Sequence, residues 1–200
     1  MRVTALATAL MAVAWVTSFS GSQDVSSGDA ASMQQKLQAI LDRAALEPPP
    51  RNAPLVTPVS EAEVNAYLRL VAGPTLPVGV VAPTVSIADR GRLSVTADID
   101  LDALRKSKSR GSLDPLAYVS GVVQVNLAGR LETARGRGTF DLESATLSGV
   151  EVPESLVQEL VTYLTKTEDN PAGISLGRPF DLPARIQQIR TTTGRATIVQ

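Results

Sequence analysis

Two long runs of this chain alternate apolar and polar residues, and each is folded back at a glycine-containing turn. That period of two commits the centre of the chain to antiparallel sheet. The first run passes through Val85 and Ile87, turns at Asp89-Arg90-Gly91, and returns through Leu93, Val95, Ala97 and Ile99. In the second, Val123, Val125, Leu127 and Leu131 alternate with Gln124, Asn126, Ala128 and Arg130; after Arg135-Gly136-Arg137-Gly138 the chain returns through Phe140 and Leu142. Successive strand side chains point to opposite faces, so each hairpin presents one apolar and one polar face, and a sheet buried on one side is the expected outcome.

Helical spacing brackets these hairpins. Asp29 is placed to cap a helix running to about Leu46, with Met33, Leu37, Ile40, Leu41 and Ala44 on one face. The prolines of Glu47-Pro48-Pro49-Pro50 end it, and Pro48 to Pro58 reads as a stiff connector. Ser60-Glu61-Ala62-Glu63 is a capping box that starts a second helix, with an apolar stripe of Val64, Tyr67, Leu68 and Val71 stopped at Gly73-Pro74. Leu101 to Leu104 suits a short helical turn. Pro153 at a first helical position opens a third amphipathic helix, reaching Lys166, whose wide stripe is Leu156, Val157, Leu160, Val161 and Leu164. Beyond the breaker Asp169-Asn170-Pro171-Ala172-Gly173, strands are expected at Ile174 to Leu176, Ala184 to Arg190 with a bulge near Ile186 and Ile189, and Arg195 to Val199, the last two joined by Thr193-Gly194. The fold class is α+β, and no internal repeat is evident.

Composition removes whole classes of chemistry. The chain has no histidine and no cysteine, so Ser–His and Cys–His catalysis, His-dependent zinc sites and thiol redox chemistry are excluded, and stability rests on burial without disulfides. Lys and Arg number 19 against 20 Asp and Glu, a balance that gives no electrostatic case for a nucleic-acid partner. Apolar residues at 44% support a sizeable core in one domain.

Four local patterns invite functional readings. Asp98, Asp100 and Asp102 could share one face and hold calcium, but counted from Asp98 the sixth and twelfth positions are Ala103 and Ser109, where a calcium loop wants Gly and Glu; a solvated strand end, with Asp100 or Asp102 capping the next turn, accounts for them. Arg105, Lys106, Lys108 and Arg110 form a basic patch that Ser and Gly interleave, and a wet loop explains it as well as a lipid-phosphate site does. Arg135-Gly136-Arg137-Gly138 lacks the strand-then-helix setting of a phosphate-binding loop. A glycoside-cleaving carboxylate pair calls for a cleft usually built with aromatic platforms, which are scarce here; no Ser-x-x-Lys motif is present. No enzyme, cofactor or metal is expected.

The first 20 residues carry Arg2, an apolar run of about 14 residues from Val3 to Val16, and small polar residues around Ser18 and Ser20. The run falls short of the ~17–25 residues that span a bilayer. The pattern predicts a signal peptide at 1–20 and a protein working in the periplasm or outside the cell, with an uncleaved membrane anchor as the alternative. Residues 21–58 then comprise a flexible segment, the N-terminal helix and the connector, and 59–200 form the α+β domain.

Ser60-Glu61-Ala62-Glu63-Val64-Asn65-Ala66-Tyr67-Leu68, Leu93 to Asp100, the Gly149-Val150-Glu151-Val152-Pro153 lead-in to a helix and the closing strand pair together resemble exported bacterial proteins of the YceB, YpmS and LmeA kind, relatives of the tubular lipid-binding (TULIP) superfamily. The resemblance runs from about Ser60 to Gln200 and leaves the proline-rich extension unexplained. It implies a curved antiparallel sheet wrapped around the long helix from Pro153, enclosing an apolar groove for an acyl chain. Such a groove would be lined by Leu156, Val157, Leu160, Val161 and Leu164 on the helix and by Val123, Val125 and Leu127 on the sheet. The expected partner is a lipid or other hydrophobic small molecule, with peripheral membrane contact compatible with that role. The alternative is a closed core serving as an envelope scaffold or protein-interaction module.

Overall fold

The computed structural model describes residues 26–47, 54–106, 120–164, 172–173 and 175–200, with residues 105, 163 and 164 described by backbone alone. The leader, residues 48–53 and most of the basic loop lie outside the described residues. Within them the chain is mixed α and β, built on two antiparallel sheets. Among the described residues no helix is long and apolar enough to cross a membrane.

Helix α1 spans Ser27–Ala45. Ser26, not Asp29, caps it: the Ser26 hydroxyl accepts from the N–H groups of Gly28 and Asp29 at 3.1 and 3.4 Å, which places Asp29 inside the first turn, where its charge suits the helix dipole. The helix buries Ala30, Met33 and Ile40, whereas Leu41 of the expected apolar face is 54% exposed. Strand β1 (Val56–Ser60) then occupies the end of the segment expected to be a stiff connector. It pairs with β9 (Arg195–Val199), which pairs in turn with β8 (Gln188–Thr192). As an edge strand, β1 tolerates Pro58, which has no N–H to donate.

Helix α2 (Glu61–Leu70) starts at the capping box, with the Glu63 N–H donating to the Ser60 hydroxyl at 3.1 Å and the Ser60 N–H donating to the Glu63 carboxylate at 2.8 Å. Its buried positions are Glu63 and Ala66, and the Val64–Val71 stripe is only half-buried. Glu63 is the anchor for α1. Its carboxylate accepts from Lys36 Nζ at 2.6 and 2.8 Å and from the Ser32 hydroxyl.

The larger sheet has the order β2 (Val80–Ile87), β3 (Arg92–Asp100), β4 (Val122–Ala134), β5 (Arg137–Leu147), β6 (Val150–Glu151), and β7 (Phe180–Asp181) also pairs with β5. Both expected hairpins are present, with Val85 opposite Val95, Ile87 opposite Leu93, and Leu131 opposite Phe140. Cross-strand partners share a face, so Ile99, Val123, Val125, Leu127, Ala145 and Leu147 all lie on the inner side. The β4–β5 register shifts between Ala128 and Gly129. A Cβ on Gly129 would sit 2.5 Å from the Phe140 ring and 2.5 Å from the Asp141 carbonyl oxygen; only glycine lets that ring approach the strand so closely.

Helix α3 (Leu101–Lys106) follows β3 directly, and α4 (Glu154–Leu164) follows β6. Pro153 precedes α4 instead of occupying its first turn, and the Pro153 carbonyl accepts from Leu156 and Val157 N–H at 3.1 and 3.4 Å. Two C-terminal expectations change. Ala184 and Arg185 take left-handed φ values of 52° and 54°, and the Ile186 N–H closes a turn onto the Pro183 carbonyl at 3.0 Å, so the strand begins at Gln188 and no bulge is needed. Ser175 and Leu176 are irregular, so the Ile174 to Leu176 strand is not present over the described residues.

Candidate functional site

The inner face of the larger sheet offers Ile99 from β3, Val123, Val125 and Leu127 from β4, and Leu147 from β5. Leu101 comes from α3, and Val152, Leu156, Val157 and Leu160 come from the lead-in to α4 and from the helix itself. These ten side chains enclose a cavity of about 140 Å³. All are aliphatic. No titratable group lines the space, so the chemistry available there is burial of apolar surface, worth roughly 25 cal/mol per Å² removed from water.

The walls differ in how firmly they are held. Ile99, Leu101 and Val125 belong to one buried cluster with Ala97 and Leu104. Val157, only 2% exposed, belongs to a second cluster with Ala145 and Leu176. Gln158 fixes α4 beside that cluster, since its side-chain oxygen accepts from the Leu176 N–H at 2.7 Å and its amide donates to the Thr162 hydroxyl at 2.6 Å. Leu156 is different: it lines the cavity yet is 55% exposed. The space is therefore backed by the buried Ile99, Leu101, Val125 and Val157, with the other lining residues half-buried and Leu156 exposed to solvent.

Six of the eight residues proposed from sequence for an apolar groove line this cavity: Val123, Val125, Leu127, Leu156, Val157 and Leu160. Val161 packs instead against the Ala145–Val157–Leu176 cluster. The Leu164 side chain lies outside the described residues. Sequence inspection passed over Ile99, Leu101, Leu147 and Val152. Ile99 continues the alternation of its strand, so its facing was legible. Leu147 is out of phase with Phe140 and Leu142 because the β4–β5 register shifts between them, Leu101 starts the short helix α3, and Val152 lies in the lead-in to α4.

The other patterns take structural roles. Asp100 Oδ1 accepts from the Ala103 N–H at 2.9 Å and caps α3, and Asp102 Oδ2 accepts from the Gly121 N–H at 3.0 Å. No group of three acidic side chains is arranged to hold a metal ion among the described residues. Lys106 is exposed at the end of α3, and residues 108 and 110 of the basic patch lie outside the described residues. Arg135-Gly136 is a two-residue hairpin turn, and Arg137 pairs with Asp181 at 3.3 Å on the open surface. A hollow of about 560 Å³ at that hairpin tip, bordered by Glu132, Thr133, Arg135, Arg137 and Thr139, has walls that are all exposed or half-buried.

One titratable group is strongly perturbed. Burial pushes the Glu63 carboxyl up, but hydrogen bonds from Lys36, Ser32 and the Ser60 N–H, with the Lys36 charge, outweigh it and bring the pKa from 4.5 down to about 2. This group joins α1 to α2 and does not face the cavity lining. No protein-family model matches the chain, and no curated protein matches it.

Proposed function

We propose that this chain is an exported, non-enzymatic protein that binds a lipid or other hydrophobic ligand in the apolar groove between α4 and the inner face of the larger sheet. The observation that carries this is the cavity beside α4, all of whose lining side chains are aliphatic and one of which, Leu156, reaches solvent. A wholly apolar cavity excludes water for want of hydrogen-bond partners and gains free energy from any hydrocarbon that enters. In this reading residues 1–20 are the export signal, with an uncleaved anchor as the alternative, the sheet curls about α4 as in the tubular lipid-binding relatives the sequence resembles, and contact with a membrane is peripheral.

A second reading is an envelope scaffold or protein-interaction module without a ligand. The cavity's size favours it, since about 140 Å³ falls below the ~300–1,000 Å³ of drug-sized ligand pockets. Native mass spectrometry of the purified domain, followed by extraction and analysis of co-purified lipid, separates the two. The ligand reading predicts a bound apolar species that is lost from Leu160→Trp, whose indole fills the space. Repeatedly empty protein, with no uptake of added lipid, would leave the scaffold.

A further inference from the structure

We propose that the cavity admits only the compact aliphatic end of its ligand, a hydrocarbon segment of about six carbons, while the rest of the molecule stays outside past Leu156. This rests on the hydrophobic-ligand reading and narrows its ligand class. The first support is size. A sealed apolar cavity of ~150 Å³ stays dry and takes a guest of benzene size, and the volume here is about 140 Å³. The second is the walls: Ile99, Leu101 and Val125 are 3%, 8% and 5% exposed and belong to one core cluster, while Val157 belongs to another. Enlarging the space at those walls means unpacking one of those clusters, while the remaining lining residues are half-buried or, at Leu156, exposed, so it acts as a socket with a fixed floor that opens on the side of Leu156. The third is lining chemistry. With neither an aromatic ring nor a polar atom contributed by a side chain, the walls select shape and hydrocarbon character and do not select stacking or hydrogen bonding. A charged or hydroxylated headgroup is thereby kept in solvent.

The test is a chain-length series of n-alcohols, from about four to ten carbons, titrated into the full chain and followed by NMR shifts of cavity methyl groups; the break is expected near the six-carbon size class of a ~150 Å³ cavity. Affinity should rise about fourfold per added carbon, the factor equivalent to ~0.8 kcal/mol for a buried methylene, and then level off. Val123→Ala, at a half-buried lining position, should move the break to a longer alcohol. A rise that continues unbroken to the longest alcohol would overturn the socket and leave a through-groove. Lipid uptake without any binding of short alcohols would also overturn it while sparing the ligand reading. If neither lipid nor alcohol binds, both fall.

Discussion

Lys36 and Glu63 lie 2.6 Å apart across the contact between α1 and α2, and the same carboxylate completes the capping box of α2. One acidic side chain thus fixes both the start of a helix and the docking of the element before it. Because the folded pKa of about 2 lies below the ordinary 4.5, the unfolded state binds more protons on this group between those values. Its contribution is fully present above about pH 4.5 and is lost as pH falls towards 2. At 1.36 kcal/mol per unit the loss is on the order of 3 kcal/mol. Urea unfolding of wild type and Glu63→Gln across this range checks it: the variant should be less stable above the window and should show a shallower acid slope.

The Asn65 side-chain amide bonds both backbone groups of Val85, donating to its carbonyl at 2.8 Å and accepting from its N–H at 2.7 Å. A side chain here stands in for a neighbouring strand at the edge of the larger sheet, and Glu61 extends the cover by accepting from the Ile87 N–H at 2.7 Å. Asn65→Leu should cost about 1–3 kcal/mol through the unsatisfied groups. It should also promote self-association by uncovering an edge. Denaturant midpoints and sedimentation at raised concentration measure the two effects.

Gly129 packs against the Phe140 ring with no room for a Cβ. Gly129→Ala should destabilise by about 1–3 kcal/mol, the usual range for overpacking. Adding Phe140→Leu should recover only part of the loss, because the Asp141 carbonyl oxygen lies as near to the new methyl as the ring does. A double-mutant cycle by thermal unfolding gives the coupling.

Ile99 and Leu156 both line the cavity, yet they are 3% and 55% exposed. Ile99→Ala should cost about 2–5 kcal/mol of stability. Leu156→Ala should stay within about 0.5 kcal/mol of wild type, as exposed substitutions do, and still weaken ligand binding. Thermal midpoints set beside binding isotherms for the two variants test this separation of stability from binding.

Where a strict local rule operated, the sequence was readable. Alternation located β2 to β5 and set the facing of β3 and β4, although register shifts change the phase within β2 and β5, and the Ser60–Glu63 spacing located the start of α2. What it hid was set by partners distant in the chain. Glu63 looks like an ordinary capping residue until Lys36 arrives from 27 positions away, and Pro58 looks like part of a linker until β9 pairs with it. The C-terminal strand was placed too early because Ala184 and Arg185 adopt left-handed backbone angles that their residue types do not advertise. At the candidate site, helical and strand periods found six side chains on regular elements; Leu147 was hidden by the β5 register shift, Leu101 by the single-turn length of α3, and Val152 because the lead-in to α4 carries no period.

The central claim is that hydrocarbon enters the space between α4 and the sheet. Intermolecular NOEs between a bound fatty-acyl chain and the methyl groups of the labelled protein test it most directly. The account predicts contacts to Val125, Leu127 and Leu160 that saturate at one chain per protein. Contacts confined to outward-facing methyl groups such as those of Val81 and Val122, or shifts that never saturate, would contradict it.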